Sequence, residues 1–178
     1  DYQNTEKRQE SILEKLKNIV LESGKFLLNN GKARTIMIVN SLIGAVSTLV
    51  LFFLQAKLPM AGLNSLALGP ALFIMGLGAV AGARMVAYFP QYSYKKLLIL
   101  SAFGVGCALA AAFTGNVWIM IAGGFLGAFA DDFLEVKTDV ILNEMIPSEQ
   151  RATLISVGSF MFSIVMIFLS TFMGWMLS

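Results

Sequence analysis

The sequence predicts an all-α, polytopic membrane protein. Hydrophobic residues make up 57% of its 178 residues and charged residues 13%, whereas a soluble domain carries about 25% charged residues. Five stretches approach or exceed the roughly 20 residues that a helix needs to cross the hydrocarbon core of a bilayer. We expect a transmembrane bundle over residues 35–178 with spans at residues 35–57, 66–89, 95–114, 117–145 and 152–177.

Residues 1–34 predict a cytoplasmic linker built around an amphipathic helix over residues 5–29. Apolar side chains recur there at helical spacing and cover an arc of about 140°, with charged side chains on the opposite side. The turn residues Asn29, Asn30 and Gly31 end the helix. Such a helix lies against the membrane surface or the ends of the spans, or else forms a solvated linker. Its apolar residues are Ile12, Leu13, Leu16, Ile19, Val20, Phe26 and Leu27.

Positive charge predicts the orientation of the spans. With the linker on the inside, the inner segments hold eleven of the 13 Lys and Arg residues, and the outer segments hold Lys57 alone. Inner loops of membrane proteins carry this excess of positive charge. We therefore expect an integral protein of a bacterial cell membrane, with a cytoplasmic N-terminus, five crossings and an extracellular C-terminal end.

Composition argues against several functional classes. The chain has no histidine and a single cysteine, Cys107, among small residues of the third span. No Gly-rich phosphate loop, nucleophile–base set or cluster of metal ligands is present in the sequence. We therefore predict no enzymatic activity, no cofactor, no metal site and no nucleic-acid partner, and we interpret Cys107 as a packing residue.

The fourth span contains a run of charged residues, and this run is the feature most informative about function. Each charge at the centre of a spanning helix costs roughly 2.5 to 3.5 kcal/mol when it faces lipid. Five charges within nine residues are therefore expected to face the interior of the bundle or water. They are Asp131, Asp132, Glu135, Lys137 and Asp139.

Helical geometry divides the run. The four acids share an arc of about 100°, with Lys137 on the far side. Counted from Trp118 at about 1.5 Å per residue, Asp131 lies about 20 Å deep and Asp139 about 32 Å deep. We predict that Asp131 and Asp132 bind a solute or protons and that Glu135 is intermediate. Asp139 is either a solvated charge or a gating charge near the inner surface.

The first span carries a milder polar stripe, in which Asn40, Gly44, Ser47, Thr48 and Gln55 lie within about 100° of one another. Burying Asn40 or Gln55 is costly, so these two amides suggest a shared interior face. A serine hydroxyl can bond to its own helix, so Ser47 is weaker evidence. We include Asn40, Ser47 and Gln55 as candidate binding residues, and we predict that the serines of the fifth span serve packing.

Several segments together resemble the C-terminal half of a major facilitator superfamily transporter, from the central cytoplasmic loop through transmembrane helices seven to eleven. One is the basic amphipathic linker, and a second is the Gln55 end of the first span. A third runs from Gly78 to Arg84 and is followed by Lys95 and Lys96, with Ala83 where the family usually has Asp. The most specific is Ile-Pro-Ser-Glu-Gln-Arg-Ala-Thr, from Ile146 to Thr153.

The resemblance implies roles for the polar residues. In that family the first and fourth helices of this half line the central cavity, and these are the two spans with polar stripes. Residues at the inner helix ends hold the cytoplasmic side closed, which implies gating roles for Arg84, Asp139, Glu144, Glu149 and Arg151. A complete transporter needs both halves around a site at the midplane. We therefore expect a fragment or one piece of a split chain, whose partner is the N-terminal six-helix half.

The leading functional hypothesis is a secondary active transporter that moves a small solute by alternating access. Protonation of the acidic stripe would couple transport to protons, because a buried carboxylate beside other carboxylates can bind a proton near physiological pH. Proton antiport with efflux of cationic or lipophilic compounds is slightly favoured over uptake. The alternative is a non-transporting membrane assembly module, whose acidic helix pairs with basic residues of the partner half.

Overall fold

The computed structural model describes residue 14, residues 17–18 and residues 21–177, with side chains described up to residue 172. This part of the chain is helical and contains no strand. We label the helical residues 21–29 α1. The following elements are α2 (Gly31–Met60), α3 (Ser65–Met85), α4 (Tyr94–Ala111), α5 (Val117–Met145), a 3-10 turn (Ser148–Gln150) and α6 (Arg151–Leu177).

Helices α2 to α6 are each long and apolar enough to cross a membrane. They correspond to the five predicted spans, so the prediction of an all-helical fold with five helices of membrane-spanning length is confirmed for the described residues. Helix α2, the first of the predicted spans, begins at Gly31, four residues earlier than predicted. Its N-terminus is capped there by the Asn30 side chain, which accepts a hydrogen bond from the Ala33 amide at 3.1 Å.

Helix α5 lies at the centre of the bundle, in contact with α2, α3 and α4. Helix α3 approaches α5 so closely that a Cβ atom at Gly78 or Gly82 would overlap the carbonyl oxygen of Phe125 or Phe129, respectively. Gly69 and Gly76 on the same helix make no such close approach, because nothing lies within 4 Å of the positions of their missing Cβ atoms. Helix α6 packs mainly against α2, so a gap remains between α5 and α6.

Helix α1 covers one end of the bundle. Leu27 is buried against Met37, Ile146 and Leu154 at the ends of three spanning helices. The Arg34 guanidinium donates hydrogen bonds to the carbonyl oxygens of Leu27 and Leu28 at 3.5 and 3.3 Å, which satisfies the last carbonyls of α1. In residues 21–30 the linker therefore packs against the helix ends. The five apolar residues predicted between 12 and 20 lie outside the described residues.

Candidate functional site

A cavity of about 550 Å³ lies between α2, α5 and α6. It occupies the gap between α5 and α6, in the halves of the three helices nearest to α1. Its wall combines carboxylates, amides and hydroxyls with apolar side chains. A volume of this size is within the range of roughly 300 to 1,000 Å³ that is typical of small-molecule sites.

Three of the four predicted acids line this cavity: Asp131, Glu135 and Asp139. They lie on successive turns of α5, so the row extends over about 12 Å along the helix axis. Asp131 is at the deep end and Asp139 at the end nearest to α1. These three acids lie on one face of α5, as predicted from helical geometry, and this face forms one wall of the cavity.

At the deep end, the Asp131 carboxyl group faces a glycine on α2. A Cβ atom on Gly44 would stand 4.0 Å from Asp131 Oδ1 and 3.7 Å from the ring of Phe162 on α6. The buried Ser47 hydroxyl lies beside the same carboxyl group but forms no hydrogen bond of standard geometry within the described residues. The deep end of the cavity therefore brings together a carboxylate and an aromatic ring, whereas Ser47, a predicted binding residue, does not line the cavity.

Further along the wall, side-chain hydrogen bonds tie the three helices together. Thr138 Oγ1 on α5 donates to Asn40 Oδ1 on α2 at 3.0 Å. Ser41 Oγ on α2 donates to the Gly158 carbonyl oxygen on α6 at 3.4 Å. Asn40 thus lines the cavity, as predicted from its stripe, and its amide is held in place by a buried threonine.

At the end nearest to α1, the cavity is bounded by Arg151 and by apolar side chains. The Arg151 guanidinium donates to the carbonyl oxygens of Asn143 and Ile146 at 2.7 and 3.4 Å. These bonds satisfy the last carbonyls of α5. The apolar residues Met37, Leu142, Ile146 and Leu154 line the cavity and also belong to the cluster around Leu27. These apolar residues therefore form the floor of the cavity, and α1 packs against their other side.

Asp132 and Arg84 occupy a different site. They share an open groove of about 430 Å³ between α3 and α5 with Ala79, Val80 and Ala83. Asp132 is one residue, or about 100°, around the helix from Asp131, and this rotation points it to the α3 side. Lys137 is also directed away from the cavity, since its ammonium group donates to the Pro90 carbonyl oxygen at 2.9 Å. The structure therefore separates the two adjacent aspartates that the sequence placed together.

Three other candidate residues are exposed and do not line the cavity: Gln55, Glu144 and Glu149. Gln55 lies in the half of α2 beyond the deep end. Glu149 accepts a hydrogen bond from the Ser148 hydroxyl at 2.9 Å, in the turn before α6. Of the five residues expected to act in gating, Asp139 and Arg151 reach the cavity.

Helix α6 contributes wall residues that the sequence did not single out as binding residues. Ser159, Phe162 and Ser163 line the cavity, although the serine hydroxyls donate to carbonyls of their own helix at 3.2 and 2.9 Å. Those bonds agree with the packing role predicted for them. The sequence nevertheless contains a pattern that could have identified this wall. Small residues are frequent on one arc of α6 of about 140°, which contains Gly158, Ser159, Phe162 and Ser163.

Comparison of the chain with protein-family models, with curated proteins and with solved structures finds no match. The chemistry of the site therefore follows from its own residues. Within the described part of the chain, no three His, Cys, Asp or Glu side chains are grouped to hold a metal ion. The carboxylates are spread along a wall instead, an arrangement suited to an elongated solute that carries positive charge.

Proposed function

We propose that this protein is a secondary active transporter of the major facilitator type, and that the cavity between α2, α5 and α6 is its solute site. The observation that carries the proposal is that the acidic stripe of α5 and the polar stripe of α2 border one cavity. The family resemblance assigns cavity-lining roles to these same two helices. A polar cavity between three spanning helices is typical of a solute pathway.

The proposal includes a partner for the open side of the cavity. Three helices border the cavity, and α6 presents large apolar side chains such as Phe160, Ile167 and Phe168 to its surroundings. In transporters of this type the solute site lies at the interface of two structural repeats. An N-terminal six-helix half would complete the wall, and rocking of the two halves would expose the cavity to each side in turn.

Proton coupling is the second part of the proposal. The chain has no histidine, so the carboxylates of Asp131, Glu135 and Asp139 are the cavity groups suited to proton exchange. Asp132 in the neighbouring groove acts electrostatically on Glu135, and Arg151 lines the cavity at the end nearest to α1. Protonation of the row would release a cationic solute, as efflux in exchange for protons requires. If transport by the Asp131→Asn variant keeps the pH dependence of the parent protein, the coupling is wrong.

Alternating access can be tested without knowing the solute. We would introduce Ser159→Cys on the cavity wall, in a Cys107→Ala background, and label the intact protein with a membrane-impermeant maleimide. Right-side-out and inside-out vesicles should both be labelled, because the cavity opens to each side in turn. Phe168→Cys, on the exposed apolar surface of α6, is the control that should react from neither side. Labelling of Ser159→Cys from one side alone would favour the static assembly module.

A further inference from the structure

We infer that the cavity selects amphiphilic organic cations, with the cationic group at the deep end beside Asp131 and the apolar body towards α1. This inference rests on the proposed function for its biological setting and adds the substrate class. It is carried by three observations: the charge of the cavity wall, the groups around Asp131, and the apolar side chains at the end nearest to α1.

The first observation is an excess of negative charge on the cavity wall. Three carboxylates line the cavity, and Arg151 is the cationic residue among the described lining residues. Its guanidinium is occupied by the backbone carbonyls of Asn143 and Ile146. Lys137, on the same helix as the acids, donates to Pro90 outside the cavity. An anionic solute would meet uncompensated like charge, whereas a cation would balance it.

The second observation is the surroundings of the Asp131 carboxyl group. The Phe162 ring and Asp131 Oδ1 both face the missing Cβ of Gly44, so a group at the deep end can contact both. An aromatic ring and a carboxylate together are a recurrent arrangement for binding ammonium groups, through cation–π and ionic attraction. The Ser47 hydroxyl is nearly fully buried beside the same carboxyl group and does not line the cavity, so it acts on the carboxyl group and not on a solute.

The third observation is a patch of apolar side chains at the end of the cavity nearest to α1. Met37, Leu142 and Leu154 lie there. The polar residues Asp139, Asn143 and Arg151 line the same end. A solute whose charged head lies beside Asp131 can place an apolar body against the three apolar side chains. The carboxylates are not gathered as metal ligands in the described residues, which favours an organic cation over a metal ion.

Charge selectivity of binding tests the inference. The probes are phenylbutyltrimethylammonium and phenylbutanesulfonate, which share an apolar body and a tetrahedral head group but carry opposite charge. Saturable binding to the intact protein in nanodiscs would be measured by equilibrium dialysis. We expect the cation to bind about tenfold or more tightly than the anion, a difference of about 1.4 kcal/mol or more.

Variants locate the site. Asp131→Asn and Phe162→Leu should each weaken cation binding severalfold, whereas Asp132→Asn, in the groove on the other side of α5, should weaken it far less. If Asp131→Asn does not fold, Glu135→Gln replaces it, with the same expected loss. The inference is overturned by equal affinity for the two probes, by the absence of saturable cation binding, or by cation binding that Asp131→Asn leaves unchanged.

This test is independent of the test of alternating access. Labelling of Ser159→Cys from both sides without any preference for the cation would leave the transporter proposal standing and overturn the substrate class. Cation-selective binding together with labelling of Ser159→Cys from one side alone would support the substrate class and overturn the transporter proposal.

Discussion

The Asp131 carboxyl group on α5 faces the backbone of Gly44 on α2, where a Cβ atom would stand 4.0 Å from Oδ1. Because that distance is an ordinary van der Waals contact, glycine at this position leaves a small open space in front of the carboxylate and of the Phe162 ring. The volume of the residue at position 44 would therefore control how closely the proposed solute can approach Asp131.

We expect Gly44→Ala to fold normally and to retain cation binding, because a methyl group fits at 3.7 to 4.0 Å from its neighbours. Gly44→Leu would extend into the deep end and should reduce phenylbutyltrimethylammonium affinity by about tenfold or more, a loss of roughly 1.4 kcal/mol. Equilibrium dialysis measures the affinity, and the melting temperature of each variant reports on folding. Undiminished binding by a folded Gly44→Leu variant would contradict the location of the head-group site.

The contact of α3 with α5 predicts a difference between two glycines of one helix. Gly78→Ala places a methyl group on the carbonyl oxygen of Phe125, and overpacking of this kind costs on the order of 1 to 3 kcal/mol. Gly76→Ala meets no atom within 4 Å, so its stability should be unchanged or slightly higher, because alanine favours the helix over glycine. The free energy of unfolding in mixed micelles measures both. Equal destabilisation by the two substitutions would refute the close approach of the helices.

Hydropathy and charge spacing were sufficient to predict the five spanning helices and the residues at the face of α5. Asp131, Glu135 and Asp139 are separated by four residues each, so any straight helix keeps them on one face. The contacts between helices were harder to predict. Asp132 lies within the same arc of about 100°, yet it borders a separate groove because α3 packs against that side of α5. A helical projection does not show which neighbouring helix covers each side of the arc.

The contribution of α6 to the cavity wall could not be predicted from the sequence pattern either. Ser159 and Ser163 bond to their own backbone, as predicted for packing residues, so their types do not distinguish a cavity wall from a helix contact. Their role depends on the placement of α6, which packs mainly against α2 and leaves a gap to α5. Gln55 shows the opposite case, since its polar side chain follows the stripe of α2 but lies beyond the end of the cavity.

The Thr138–Asn40 hydrogen bond between α5 and α2 predicts a measurable coupling. Thr138→Val retains the shape of the buried side chain but leaves Asn40 Oδ1 without its donor. Interhelical hydrogen bonds of this kind contribute about 0.6 kcal/mol on average and up to about 1.7 kcal/mol. Thr35→Val is the matched control, because the exposed Thr35 hydroxyl donates to the Gly31 carbonyl of its own helix at 2.9 Å. A double-mutant cycle of Thr138→Val with Asn40→Ala should show coupling near that range, and strict additivity would argue against the bond.

The floor of the cavity gives the last prediction, for which two adjacent leucines of α1 provide a matched pair. Leu27 is 9% exposed and packs on Met37, Ile146 and Leu154, whereas Leu28 is 73% exposed. Leu27→Ala should destabilise the protein by about 2 kcal/mol or more, as truncation of a buried leucine does, and Leu28→Ala should have little effect.

Because the apolar neighbours of Leu27 also border the cavity, truncation of Leu27 should open a path to the solute site. The labelling rate of Ser159→Cys from the α1 side should therefore rise in the Leu27→Ala background and stay constant in the Leu28→Ala background. Equal labelling rates in the two backgrounds would mean that α1 packs on the bundle without closing the cavity.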